Sequence, residues 1–430
     1  MNKTTLPLLT AIATAAFVFA GSAHAQDKAT LDLLVRKGVI TAAEADQLVN
    51  ETKSKDVSKK VEAKGPDTKR ITIGGLVQTQ YQFLSVDGKT TNASGVSSDN
   101  EPANTNRFEL RRAQIDFDAK IGSDWNAFVS FIAEDGASAR DYLDKAGITY
   151  STDFGKLTAG LRKVNFAVEE YTSSSKLFAI ERSIATNYFA GGVKPGTLGS
   201  RLGFASRHVG VYWDGALPGA DGLEYGLSVT SGYQNSVSSA TAVNNQVNVW
   251  AYAQYTLKID DTTNIQVGFN FGWQPGDDTY TVSSEPDSEV IGYNPFIKAT
   301  MGGASLQGEF LGAWVKHGAA DGSDASPYGV NATAAYRFGD IEPVVRYSYL
   351  QGDGRGFSNK DVWRSSPSTG KLYDEAWTIF AGVNYYLMKD TVKISAGYEH
   401  ARFSGAPAAN NGSASRANGD GVRVQLQAIF

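Results

Sequence analysis

The last ten residues, GVRVQLQAIF, permit few structures. Val422, Val424, Leu426, Ala428 and Phe430 share one side of an extended chain, and Arg423, Gln425 and Gln427 share the other. Side chains alternate across a strand with period two, so one face is apolar and the other wet. Two architectures accept such a strand. One is the edge of a soluble sandwich; the other is a wall with lipid outside and water inside.

The opposite end shows where the chain is sent. Lys3, the apolar run Leu8 to Ala20, and Ala23 and Ala25 in an A-x-A pattern predict a signal peptide over residues 1–25. Its removal takes Lys3 and no acid, so the net charge moves from −5 to −6. No later apolar run reaches the roughly 18 residues a membrane helix needs. If the exported chain enters a bilayer, it must do so as a closed barrel, because open sheets leave backbone groups unpaired in lipid. The absence of cysteine excludes disulfide frameworks and cysteine-based metal or nucleophile chemistry. The 45 glycines and abundant aromatics suit an all-β barrel.

Residues 26–69 are expected to form a periplasmic helical segment and linker. Leu31, Leu34 and Val35 have helical spacing, and Thr41 with Glu44 forms a capping box for a second helix. A helix pair this short cannot bury its own apolar face, so residues 29–51 predict contact with copies of themselves or with a periplasmic or cell-wall partner.

From Arg70 onward the chain reads as sixteen strands to residue 430, which predicts a transmembrane antiparallel β-barrel. In NRFELRRAQIDFDAKIG, Phe108 and Leu110 have one parity while Ala113, Ile115 and Phe117 have the other. The slip at Arg111-Arg112 predicts a β-bulge. Tight turns at 122–124, 152–155, 260–262, 302–303, 339–340 and 388–390 alternate with longer polar stretches at 87–104, 165–202, 234–245, 275–286, 317–325, 352–374 and 404–418. Periplasmic turns and extracellular loops produce that rhythm. Tyr81, Tyr150, Tyr255, Trp273, Tyr385, Tyr386 and Phe403 stand near strand ends, where interfacial girdles are expected.

A barrel this wide leaves an aqueous channel, so selectivity depends on what narrows it and on the charges that line it. The longest connection, 165–202, is expected to fold inward, pinned by Phe166, Phe178, Ile180 and Ile184, with Lys176, Arg182, Lys194 and Arg201 near water. Parity also puts Arg346 and Arg423 on the polar faces of their strands. The blander reading of any such arginine is a local ion pair holding the loop to the wall.

LRRAQIDFDAKIGSDWNAFVSF, GKLTAGLRKVNFAVEEYTSSSKLFAIERS and AGVNYYLMKDTVKISAGYEHARF resemble the phosphate-selective porin family, porins O and P. The terminal aromatic resembles the tag by which outer-membrane barrels are recognised for assembly. The resemblance implies a sixteen-stranded, homotrimeric channel in the bacterial outer membrane, surrounded by lipid and favouring small anions such as phosphate. It also implies an arginine ladder leading to a basic constriction. Matching motifs carry that role to Arg111, Arg112, Arg162, Lys163, Lys176 and Arg182. Guanidinium forks and lysine point charges are the groups that bind phosphate oxygens.

The alternative is a non-selective porin that also tethers the envelope through its N-terminal helices. Acidic loop residues Asp321, Asp324, Asp353 and Asp361 argue against strict phosphate specificity. No cofactor, metal site or nucleic-acid partner is expected, and the acidic segment 318–326 lacks calcium-loop spacing. Catalysis is not expected either: there is no G-x-S-x-G motif, and His400 shares parity with Tyr398 on the outer face.

Overall fold

A computed structural model describes residues 68–91, 94, 97–133, 142–190, 198–203, 205–231, 247–276, 289–405 and 414–430. The signal peptide, the N-terminal helices and Lys194 lie outside the described residues. Sixteen strands close into one antiparallel barrel in sequence order. They are β1 Thr68–Thr91, β2 Ser97–Ile121, β3 Trp125–Ala133, β4 Leu143–Thr152, β5 Gly155–Lys163, β6 Arg207–Ala216, β7 Leu223–Ser231 and β8 Val247–Lys258. The circuit continues with β9 Thr263–Gln274, β10 Val290–Met301, β11 Ala304–Val315, β12 Tyr328–Tyr336, β13 Ile341–Gln351, β14 Glu375–Tyr386, β15 Val392–Gly405 and β16 Ala414–Ile429.

Closure follows from the terminal strand. β16 pairs with β1 from Leu76↔Ile429 to Thr91↔Ala414. Beyond it, Phe430 N–H donates to Gly75 O at 3.1 Å and Gly75 N–H donates to Phe430 O at 2.8 Å. A Cβ on Gly75 would lie 2.4 Å from the Phe430 ring, so a glycine is what lets the final aromatic settle on the seam. The polar side faces in: Gln78, Gln80, Gln82, Gln425 and Gln427 are buried, while Val77, Phe83 and Leu426 are exposed. Gln78 Nε2 donates to Gln427 Oε1 at 2.8 Å across the seam.

The bulge lies where the parity slip predicts it. Gln78 faces Arg112 and Thr79 faces Leu110, leaving Arg111 unpaired in the ladder. The extra residue turns both Arg111 and Arg112 inward, and both are buried.

Outside, an aromatic belt crosses β10–β13. Tyr293, Phe310, Tyr328 and Tyr349 follow one another with ring centroids 6.0, 5.9 and 5.8 Å apart. Two expected girdle residues belong elsewhere. Phe403 is fully buried inside the barrel, and Tyr386 points inward to donate to Glu342 Oε2 at 2.8 Å. The expected loop at 87–104 is largely strand, because β1 runs to Thr91 and β2 starts at Ser97.

Candidate functional site: the loop-lined channel interior

The connection between β5 and β6 folds inward and follows the inner wall. It carries two short helices, α1 Val168–Tyr171 and α2 Ile184–Ala190, with a 3-10 turn at Ser174–Lys176 between them. At its entrance Ala167 has φ 60, a conformation costly for a residue with a Cβ. It is held there by its N–H donating to Asn294 Oδ1 at 3.0 Å. Val168 N–H then donates to Glu309 Oε2 at 2.7 Å. Further along, Asn384, Lys393 and Gln427 donate to the carbonyls of Phe178, Leu177 and Ser175 at 3.0, 3.2 and 3.1 Å. The loop thus lies against β10 and β11, then β14 to β16.

Apolar anchors set its depth. Phe166, Ile180 and Ile184 are buried as the sequence predicts, and Phe178 packs beside Val344 and Phe380. A second inward segment adds to that core. Residues 352–374 were expected outside the barrel as an extracellular loop. Instead they bury Phe357, Val362, Trp363 and Tyr373 in one cluster with Tyr188, Phe189 and Phe403. Asn187 Nδ2 donates to Val362 O at 2.9 Å, tying the two loops together. Trp363 reaches the wall because Gly419 and Gly421 face it; a Cβ on Gly419 would sit 2.3 Å from the indole.

A buried ionic chain joins both loops to the barrel. Arg346, 1 % exposed, donates to Glu169 Oε1 at 3.0 Å, Glu181 O at 2.6 Å and Glu399 Oε1 at 3.1 Å. Arg423 meets Glu399 Oε2 at 3.0 Å and Arg364 O at 2.8 Å, and Trp363 Nε1 donates to the same Glu399 oxygen at 2.8 Å. Arg111 forks onto Glu181 at 2.8 and 3.1 Å. Arg364 bridges Glu109 at 2.5 Å and Glu181 at 3.4 Å. Every charge in this chain has an opposite partner, the condition under which buried charges persist.

The loop carboxylates show the effect of that pairing. Burial alone would raise the Glu181 carboxyl, but Arg111 and Arg364 hold it well below its ordinary value. Burial likewise opposes the ionised Glu169, and Arg346 with the Ser183 N–H outweighs it. Glu170 is held down to about 2 against burial by Arg182, Lys163 and Arg207.

These contacts place each expected site residue. Arg111, Arg346 and Arg423 are buried in the chain just described. Arg112 donates to Gln78 Oε1 at 2.8 Å. Lys163 has the parity of Leu157 and Ala159, but its ammonium turns inward to Glu170 O at 2.5 Å. Arg182 meets Glu170 Oε2 at 3.0 Å and Glu169 O at 3.0 Å, so it is not the water-facing group expected. Arg162 pairs with Asp214 while stacking 4.7 Å over the Tyr212 ring. Lys176 is exposed and makes no ion pair with a described residue.

Sequence reasoning did not place the acids Glu109, Glu169, Glu181 and Glu399, or Arg364, in the site. It also missed the wall opposite the loop. There a cavity of about 750 Å³ runs along the inner face of β2–β6, lined by Lys120, Lys145, Lys156, Arg162, Asp118 and Asp214. Lys145 lies 3.4 Å from Asp116, whereas Lys120 and Lys156 are exposed and have no carboxylate partner among the described residues. Strand parity was the available signal, since all four cations alternate with lipid-facing Ala119, Ile148, Leu157 and Ala159.

The model of the family described as phosphate-selective porin O and P matches residues 87–430. This chain belongs to that family. The family places it in the bacterial outer membrane as a channel-forming protein. No curated protein matches it in sequence. Solved structures share its fold. An anion-selective porin from Comamonas acidovorans aligns with TM-score 0.54 at 14% identity, covering 84% of this chain and 99% of that one. Salmonella typhi OmpF, in complex with daunomycin, aligns with TM-score 0.50 at 14% identity, covering 86% and 100%. The outer-membrane channel DcaP of Acinetobacter baumannii aligns with TM-score 0.50 at 12% identity over the same shares.

Proposed function

We propose that the chain forms a water-filled channel for passive diffusion of small solutes that favours anions, phosphate among them. One observation supports the preference. Glu109, Glu169, Glu170, Glu181 and Glu399 beside the inward loops are paired with guanidinium groups, while Lys120, Lys156 and Lys176 face water without a carboxylate partner among the described residues. Local field, not net charge, decides which ion enters such a passage. In this reading Lys176 and the cavity lysines touch the permeating anion, with Arg162 beside them. Arg111, Arg112, Lys163, Arg182, Arg346 and Arg423 act by positioning the loop. Asp118 and Asp124 lie along the same cavity and dilute its positive field, which favours a weakly selective pore over a strict phosphate filter.

The homotrimer is carried over from the family resemblance, and comparing unheated with heated protein by mass tests it. Catalysis has no support in the histidines. His208 is buried 5.1 Å from Trp250, and His400 pairs with Asp420 at 2.9 Å on the outer face.

Planar-bilayer recordings under a potassium chloride gradient test the proposal. The reversal potential should indicate anion preference, and Lys156→Ala with Lys176→Ala should shift it toward zero. A cation-side reversal potential in the unaltered protein would overturn the anion reading while leaving the channel intact.

A further inference from the structure

The outer wall carries a second set of cations that the channel does not use. On β15 and β16, Tyr398 and Val422 stand opposite each other at the top of an apolar band that descends through Val424, Leu426 and Ala428. Two residues higher, His400 faces Asp420; two higher still, Arg402 faces Asn418. Arg416 lies further up β16 and is paired directly with Lys89 of β1. Arg402, Arg416 and Lys89 therefore rise diagonally across three neighbouring strands on the outer face, and all three are exposed.

The carboxylates around them are mostly engaged. Asp420 accepts from Tyr398 and from His400, the latter at 2.9 Å. Asp87 accepts the Asn418 N–H at 3.2 Å. Asp99 lies 3.7 Å from Lys89, in a pair exposed at both ends and therefore worth little. Arg402 and Arg416 have no carboxylate partner among the described residues. By contrast, Arg207 and Lys163, also near extracellular strand ends, are tied to Asp144 and Glu170.

Height decides what these guanidiniums meet. Four residues separate Tyr398 from Arg402, or about 13 Å along a strand and about 10 Å along the axis of a barrel tilted by about 40°. That puts Arg402 in the headgroup layer just above the hydrocarbon. Beneath it the exposed Tyr398 and Phe83, with Trp377 5.5 Å from His400, make a shelf suited to acyl chains.

We infer that Arg402 and Arg416, with Lys89, bind the phosphates of a phosphorylated glycolipid in the outer leaflet while its acyl chains lie on the Tyr398–Phe83 shelf. The occupant is a lipid and not free phosphate, because the cations sit directly over an apolar surface. Guanidinium forks match phosphate oxygens, and exposed cations at this depth otherwise have only water. The inference rests on the outer face meeting lipid and is independent of what the channel passes.

Native mass spectrometry of the full mature protein in detergent tests it. The probes are bisphosphorylated lipid A, dephosphorylated lipid A and inorganic phosphate. Wild type should bind the bisphosphorylated form saturably. Arg402→Gln with Arg416→Gln should weaken that binding by about tenfold and leave it equal to binding of the dephosphorylated form. The charge-keeping pair Arg402→Lys with Arg416→Lys should retain most of it, and single-channel conductance should be unchanged in both variants. Equal lipid binding by wild type and the glutamine variant would overturn the assignment. So would full competition by millimolar inorganic phosphate, or a glutamine variant that changes only the number of copies associated, which would make this face a contact between protomers.

Discussion

Arg346→Ala tests whether the buried ionic chain holds the inward loop in place. The guanidinium touches Glu169 and Glu181 of the loop and Glu399 of β15 at once. Glu399 keeps Arg423 and the Trp363 indole, so its charge stays compensated. Glu169 keeps the Ser183 N–H at 2.8 Å and the Thr186 hydroxyl at 2.9 Å, and among the described residues it has no second ion pair. Removing one member of a buried pair costs about 3–5 kcal/mol, mostly for the charge left behind. The barrel strands do not depend on this contact, so the cost falls on the seating of the loop. Far-UV circular dichroism and heat stability of the sheet should be unchanged. Single-channel recordings should show a larger mean conductance with open-state flicker, and trypsin should cut near Arg182 where wild type resists. Adding Glu169→Gln to an Arg346→Met background removes the stranded charge and should restore most of the quiet, protected state. If Arg346→Ala conducts as quietly as wild type and stays protected, the chain is not what holds the loop. If the neutral double variant is no better than the single one, charge desertion is the wrong cause.

Three further outcomes follow from the same geometry. Acid should loosen the loop late. Glu170 has its carboxyl lowered from 4.5 to about 2, so the stability it contributes is complete above 4.5 and is lost as pH falls toward 2. Conductance noise that rose instead between pH 7 and 5 would contradict that pairing. Gly419→Val should eject the Trp363 indole and unseat residues 352–374, lowering tryptophan burial measured by iodide quenching; unchanged quenching would show that the wall tolerates the larger residue. Gly75→Val should displace the Phe430 ring from the seam and slow assembly into vesicles, and wild-type assembly kinetics would show that the seam has room to spare.

The barrel was legible in the sequence because lipid outside and water inside force a period of two on each spanning strand. Even the bulge at Arg111-Arg112 could be read, since a parity slip changes the residue pattern itself. Parity failed where lipid no longer imposes it. Residues 87–91 and 97–104 are strand above the hydrocarbon, where acyl chains no longer impose an alternating pattern, so they read as loop. The aromatic girdle was misread for a related reason: near the mouth, a strand's inward face meets a folded loop and not water, and Phe403 is apolar there for packing.

The interior of the channel was less legible because its charges are paired over long stretches of sequence. Arg346 meets Glu169 across a separation of 177 residues, and Arg364 meets Glu109 across 255. Strand parity can put an arginine on the wet face, but it cannot tell whether a carboxylate from another loop already occupies it. Glycine parity carries that information in part. Gly419 and Gly421 leave two consecutive inward positions of β16 without a side chain, which signals close approach by something bulky from the lumen. The segment 352–374 holds Trp363, the one tryptophan in any expected extracellular loop, and the two observations together identify a second inward loop. The same reasoning separates the cations by role. An arginine beside inward glycines or loop acids acts as a fastener, whereas a lysine on a wall with no loop over it, such as Lys120 or Lys156, stays available to the solute.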